Sequence, residues 1–134
     1  MPKVTPELSS ASALHKLSKP ILTKDDMPYE ASLIFNAGVI KHEGKYLMVF
    51  RNDYGTDEEK YGEGQNFRGT SVGLAVSDNG IDGWKVFEKP LIDSADIADP
   101  EISRLYDPRI TRIDGRLYLC LAMDTRHGIR GCIA

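Results

Sequence analysis

Apolar positions along this chain come in short runs broken by glycine-bearing turns, a pattern of strands rather than helices. Leu33–Ile40 reads as a first strand, His42-Glu43-Gly44-Lys45 as a turn, and Tyr46–Arg51 as the returning strand. Two such runs joined by a short turn predict a β-hairpin. The near-continuous apolar character of Tyr46–Phe50 predicts burial on both faces, hence a central strand. The polar stretch Asn52–Phe67 is expected as a surface loop, because burying it would leave many polar groups without partners. Strand pattern resumes at Ser71–Ser77, and Asp78-Asn79-Gly80 reads as a turn with Asp78 bonded to its own backbone. Trp84–Phe87 then supplies an outer fourth strand. Four sequential antiparallel strands form a meander, the unit of propeller blades. Upstream, 11–18 allows a helical turn that Pro20 stops, and Lys19–Glu30 reads as an extended lead-in.

The pattern then restarts. Asp107–Leu121 lies over Asn36–Phe50 without a gap, so that Gly115 falls on Gly44, Arg116 on Lys45 and, further on, Asp124 on Asp53. After a shorter loop, Gly131-Cys132-Ile133-Ala134 repeats Gly73-Leu74-Ala75-Val76. A repeated four-strand unit implies stacked blades. The expected organisation is a lead-in over 1–32, a first blade-like unit over 33–98 and an incomplete second unit over 99–134. A propeller needs at least about four blades to close, so the interrupted repeat is read as the first part of a larger domain. The alternative is a compact two-sheet sandwich.

Composition narrows the function classes. With 41% hydrophobic and 28% charged residues, the 134-residue chain is expected to fold and to be soluble. A net charge of -3 without a basic tract argues against nucleic-acid binding. No apolar run reaches the roughly 20 residues that cross a bilayer, and the start lacks the apolar core of a signal peptide. Cys120 and Cys132 sit in apolar strand-like runs and read as buried thiols of a reducing, cytoplasmic compartment. His15, His42 and His127 are scattered, so no metal site is expected. Gly62-Glu63-Gly64 lacks the lysine and hydroxyl residue of a phosphate loop.

Asp107 is the foremost candidate for chemistry. It is expected to open a strand after a polar linker, with Pro108 keeping its backbone out of the helical region. In a propeller the innermost strands line the central channel, where a carboxylate can act as a general acid. The competing reading is a turn cap. Asn36 holds the matching place in the first repeat and would face the same channel. Arg51 is read either as a ligand contact or as a salt-bridge partner of Asp53. Asn52, Asp53 and Arg68 complete the candidate binding residues.

Phe35-Asn36-Ala37-Gly38, the Tyr46–Arg51 strand, Gly73–Gly80 and above all Tyr106-Asp107-Pro108-Arg109-Ile110 resemble the β-mannoside phosphorylases of glycoside hydrolase family 130. The resemblance runs from Pro20 to Ala134. It implies that the chain is the N-terminal portion of a five-bladed all-β propeller, about one complete blade and part of the next. It implies no cofactor, inorganic phosphate as co-substrate, and a β-mannoside disaccharide or oligosaccharide as substrate. It also implies a homo-oligomeric whole enzyme acting on no nucleic acid or membrane. Asp107 matches the family's general acid, which passes its proton through the mannose 3-hydroxyl. Asn36 and Arg51 match mannose-holding positions, with Asn52, Asp53 and Arg68 as further substrate-binding residues, and Tyr106 and Arg109 belong to the motif. Many members carry glutamate where this chain has Tyr106, which resembles the branch acting on 4-O-β-mannosyl-glucose. The short chain by itself is expected to be inactive, since most of the family's phosphate site lies in later blades. The alternatives are an inverting hydrolase of similar architecture and a non-catalytic carbohydrate-binding module.

Overall fold

The computed structural model describes residues 17–55 and 67–134. Eight strands occur among them: β1 (Leu33–His42), β2 (Lys45–Tyr54), β3 (Gly69–Ser77), β4 (Lys85–Val86), β5 (Ile92–Asp93), β6 (Ile102–Ile113), β7 (Arg116–Thr125) and β8 (Gly128–Ile133). The first five form one antiparallel sheet in the order β1-β2-β3-β4, with β5 also pairing with β3. The other three form a second antiparallel sheet, β6-β7-β8. The architecture is all-β and built of two meanders, as the alternation of short apolar runs predicts. The expected helical turn over 11–18 and most of the expected loop over 52–67 lie outside the described residues.

Turn chemistry sets the two long hairpins. Glu43 and Gly44 have φ of 48° and 80°, and Asp114 and Gly115 have 49° and 80°. Positive φ at both central residues marks a type I′ turn, whose twist matches that of paired strands. The repeat read from the sequence thus extends to backbone angles. It fails by one residue at the third strand, where Gly131 faces Ala122 and Cys132 faces Leu121. Gly73 faces Phe50, the counterpart of Leu121, so Cys132 rather than Gly131 holds Gly73's place. The cause is the tight β7–β8 turn, where Thr125 pairs with Gly128 and fixes the register.

The outer strand of the first sheet is split. β4 pairs with Ala75 and Val76, and β5 with Ser71 and Val72. Pro90 lies between them, and its missing N–H cannot donate to β3. The Asp78 turn also differs from expectation. Asp78 pairs with Lys45 Nζ at 2.9 Å, while Ser77 Oγ and Asn79 Oδ1 accept the turn's backbone N–H groups. Lys45 holds the exposed Asp78 carboxyl below the usual carboxylate range.

β2 is central and buried on both faces. Val49 joins Val72 from the first sheet and Leu105, Leu119 and Leu121 from the second in one core. Met48 and Phe50 point the other way, packing with Ala75 under Leu22 and Met27 of the lead-in. Each such burial contributes about 1.5–3 kcal/mol, so the lead-in serves as a cover for the sheet. Among the described residues no helix is long and apolar enough to cross a membrane.

Candidate functional site

The two sheets meet along β1 and β6, and both strands are interrupted at matching places. In β1 the register jumps between Phe35, opposite Arg51, and Gly38, opposite Val49. In β6 it jumps between Tyr106, opposite Ala122, and Arg109, opposite Cys120. Each jump sets two residues against one, which is a β-bulge. Asn36 and Asp107 are the first residues of the two bulges, and each has φ of 53°. Aspartate and asparagine tolerate this left-handed region better than other side chains.

Two expectations for Asp107 are corrected here. It does not open a strand, because β6 begins at Ile102 and pairs with β7 on both sides of the bulge. Nor does Pro108 hold it extended, since bulge geometry gives Asp107 a left-handed backbone. Pro108 is buried and occupies the second bulge position, where its missing N–H breaks no ladder bond.

The bulges turn Asn36 and Asp107 toward each other. Asn36 Nδ2 donates a hydrogen bond to Asp107 Oδ1, joining the two sheets side chain to side chain. Arg51 Nη1 lies 3.7 Å from the same oxygen. The Asp107 side chain is 43% exposed, so its carboxylate is held from below and open above. Gly38 permits this approach: a Cβ there would stand 3.2 Å from Pro108 O and 3.3 Å from Arg109 Cα. Arg109 spans the seam, with Nη1 donating to Asn36 O at 3.2 Å and to Pro108 O at 2.8 Å.

Arg51 is the hub beneath. Its Nε donates to Asp53 Oδ1 at 2.6 Å and its Nη2 to Asp53 Oδ2 at 2.7 Å. Its guanidinium lies 4.5 Å from the Phe35 ring centre and 4.9 Å from that of Tyr106, the residues preceding Asn36 and Asp107. Tyr106 in turn donates its hydroxyl to Asp124 Oδ1 at 2.7 Å. That hydrogen bond, aided by desolvation and by the negative charges of Asp124 and Asp107, raises the Tyr106 phenol above its ordinary range.

The remaining candidates lie elsewhere. Asn52 and Asp53 do not begin a surface loop, because β2 runs on through Tyr54 and both residues are fully buried. Asn52 Nδ2 donates to Glu30 O at 2.9 Å and Ser71 Oγ at 3.0 Å, while its Oδ1 is buried without a hydrogen-bond partner. Arg68 pairs with Glu30 and lies 5.4 Å from the Tyr54 ring centre, on the far flank of β2. Sequence reasoning quoted Phe35 and Gly38 within a motif but gave them no role, and it did not single out Thr70. Thr70 Oγ1 accepts the Leu105 N–H at 2.9 Å and so pins β6 to β3 two residues before Asp107. The repeat supplied a signal for Phe35, which aligns with Tyr106 immediately before the matched polar pair.

What converges is one accessible carboxylate, an amide and a guanidinium at a seam between two sheets. Such a set can orient hydroxyl groups and carry a proton.

No protein-family profile matches the chain. Among characterised proteins, it is 34% identical over 106 residues to a beta-1,2-mannobiose phosphorylase of Thermoanaerobacter sp. (strain X514), covering 76% of this chain and 34% of that protein. It is 32% identical over 108 residues to a 1,2-beta-oligomannan phosphorylase of the same strain, covering 79% and 34%. It is 34% identical over 84 residues to a 4-O-beta-D-mannosyl-D-glucose phosphorylase of Bacteroides fragilis, covering 62% and 18%. The chain thus spans about a third or less of the length of the characterised relatives it matches. A crystal structure from Parabacteroides distasonis, provisionally assigned as a glycoside hydrolase, superposes with a TM-score of 0.60 at 24% identity. The match covers 94% of this chain and 38% of that one, and establishes a shared all-β fold. Over 76–79% of its length the chain is thus similar in sequence to a beta-1,2-mannobiose phosphorylase and a 1,2-beta-oligomannan phosphorylase.

Proposed function

We propose that this chain forms the mannose-binding and proton-donating face of an inverting β-mannoside phosphorylase of glycoside hydrolase family 130. The observation that carries the reading is the meeting of Asn36, Arg51 and an accessible Asp107 across the seam of two sheets. Homology to three phosphorylases of β-mannosides supports the reaction class. The sheets are then adjacent blades of a five-bladed propeller, with β1 and β6 on its channel. The enzyme is cytoplasmic, needs no cofactor and works as a homo-oligomer.

In this reaction a phosphate oxygen attacks the anomeric carbon of the mannosyl group from the face opposite the leaving sugar. The bond from that carbon to the glycosidic oxygen breaks, and its electron pair stays on the leaving oxygen. Asp107 gives a proton to the mannose 3-hydroxyl as that hydroxyl passes its own to the leaving oxygen. The products are α-mannose 1-phosphate and the free acceptor sugar. Phosphate is itself the nucleophile, so the second carboxylate that activates water in an inverting hydrolase is not required. Asn36, bonded to Asp107 Oδ1, orients the carboxyl group, while Arg51 holds the sugar against it. Asn52 and Asp53, being fully buried, act from behind this face.

The acceptor is glucose in 4-O-β-mannosyl-glucose, a choice that rests on Tyr106 standing where many family members have glutamate. Release of mannose 1-phosphate from that disaccharide and from β-1,2-mannobiose, with and without phosphate, tests the proposal in the whole enzyme. Turnover should need phosphate and be faster on the mannosyl-glucose. Asp107→Asn should lower it by about 10²–10⁴, and Arg51→Ala should weaken sugar binding as well as turnover. Equal mannose release without phosphate points to a hydrolase, and an undiminished Asp107→Asn enzyme removes Asp107 from the mechanism. Sugar binding with no turnover points to a binding module.

A further inference from the structure

We infer that Asp53 is a positioning residue, acting on the reaction only through Arg51 and never touching substrate. The inference rests on the functional reading above and says how the buried charge of Asp53 acts from behind the face. Asp53 is completely buried in the middle of a sheet, paired with Leu33 on one side and Thr70 on the other. A carboxylate in such a place is retained only when its charge is matched. Both of its oxygens are taken by Arg51, Oδ1 by Nε at 2.6 Å and Oδ2 by Nη2 at 2.7 Å.

This fork fixes the guanidinium in a particular way. A planar group held by two parallel bonds cannot rotate within its plane. The Phe35 ring from β1 and the Tyr106 ring from β6 restrict its tilt, at 4.5 and 4.9 Å. With Nε and Nη2 committed to Asp53, Nη1 is the nitrogen presented to Asp107, at 3.7 Å. Asp53 therefore determines which edge of Arg51 faces the proton donor and the sugar. Phe35 and Tyr106 belong to different sheets, so the clamp also senses how the sheets are docked.

The second sheet reuses the position differently. Asp124 matches Asp53, but Ala122 stands where Arg51 would be. There the carboxylate takes Arg104 Nε at 3.3 Å and the Tyr106 hydroxyl at 2.7 Å. The aspartate at this place thus orients whichever groups surround it, and only in the first sheet is the oriented group an arginine beside the accessible carboxylate.

Two measurements test the inference. In the 134-residue chain, the Arg51 Nε–H should appear as a slowly exchanging signal in a nitrogen–proton correlation spectrum; exchange as fast as in free arginine would overturn the clamp. This readout needs no variant. In the whole enzyme, Asp53→Asn keeps the shape and removes the charge. It should lower kcat/KM about tenfold to a hundredfold, the scale expected from a misplaced positioning group. Added to Arg51→Ala, it should cause no further loss beyond about twofold, because its only route of action is already gone. Losses that multiply would mean that Asp53 acts independently and would sink the inference. Asp107→Asn serves as the reference. If it abolishes turnover while Asp53→Asn matches wild type, the inference alone fails; if it leaves turnover intact, the functional reading fails and takes the inference with it.

Discussion

A left-handed backbone at Asn36 and Asp107 explains why these residue types stand at matching places in the two sheets. The bulge needs positive φ at its first residue, and aspartate and asparagine meet that need while carrying a polar group to the surface. Backbone and chemistry are therefore confounded at Asp107, and two substitutions separate them. Asp107→Asn keeps a residue suited to the left-handed region, whereas Asp107→Ala does not. The alanine variant should be less stable than the asparagine variant by about 1–2 kcal/mol, the cost of a left-handed residue with an ordinary side chain. Urea unfolding of both measures this directly. Equal stability would mean that the bulge relaxes when its polar residue is lost. Of the site, Asn36 was legible as the repeat partner of Asp107, and Arg51 only as the polar residue that closes an apolar strand, since its counterpart in the repeat is Ala122. The burial of Asn52 and Asp53 was not, because polar residues after an apolar run look like the start of a loop. Only the partners in space, Ser71 and Glu30 at the Asn52 amide nitrogen and Arg51 at the Asp53 carboxylate, reveal how these polar groups are held inside.

At the scale of elements, the hairpins were legible because turn and strand are local matters. Glu43-Gly44 and Asp114-Gly115 carry their φ preference in two adjacent residues, and apolar alternation does the rest. The bulges, the split outer strand and the register of β8 were not, since each depends on pairing between distant residues. β5 illustrates this. Two residues give no pattern of their own, yet Ile92 and Asp93 pair with β3. Asp93 also accepts the Tyr54 hydroxyl at 2.6 Å, tying the end of β2 to the outer edge of its sheet. Burial and this carboxylate push the Tyr54 phenol up to about 12 from its usual 10.0. The sign follows from linkage. A raised pKa in the folded state means that the unfolded chain loses its proton first as pH rises. The contribution is complete below about pH 10 and is lost as pH climbs through about 12. Unfolding midpoints followed across that window should fall, and Tyr54→Phe should flatten the fall. An unchanged slope in the variant would assign the alkaline loss to other groups, Tyr29 among them, whose phenol burial likewise raises to about 12.

At the scale of the whole molecule, the two sheets share one core, yet the second is much less covered than the first. Val49, Val72 and Leu105 are buried at the junction, while β8 leaves Ile129 at 66% and Ile133 at 72% exposure. Among the described residues β8 pairs only with β7, so its outer backbone groups face outward. An apolar hollow of about 440 Å³ also opens between the sheets, with Leu47, Leu74, Ile110 and Leu117 among its walls. Natural edge strands are blunted by charge, proline or a bulge, and β8 carries only Arg130 for this purpose. A strand of this kind templates pairing with a second copy. The 134-residue chain alone should therefore self-associate, with a mass by light scattering that rises above that of one chain as concentration increases. Placing charge on the edge should reverse this. Ile129→Lys combined with Ile133→Lys removes two exposed apolar groups from the strand and adds the residue type that edges use against pairing. The double variant should be monomeric under conditions where the parent chain is not. Neither side chain belongs to the buried core, so secondary structure should survive the change. A parent chain that stays monomeric at every concentration would show that the β8 edge is not sticky. Association that persists in the double variant would move the contact to the apolar hollow instead.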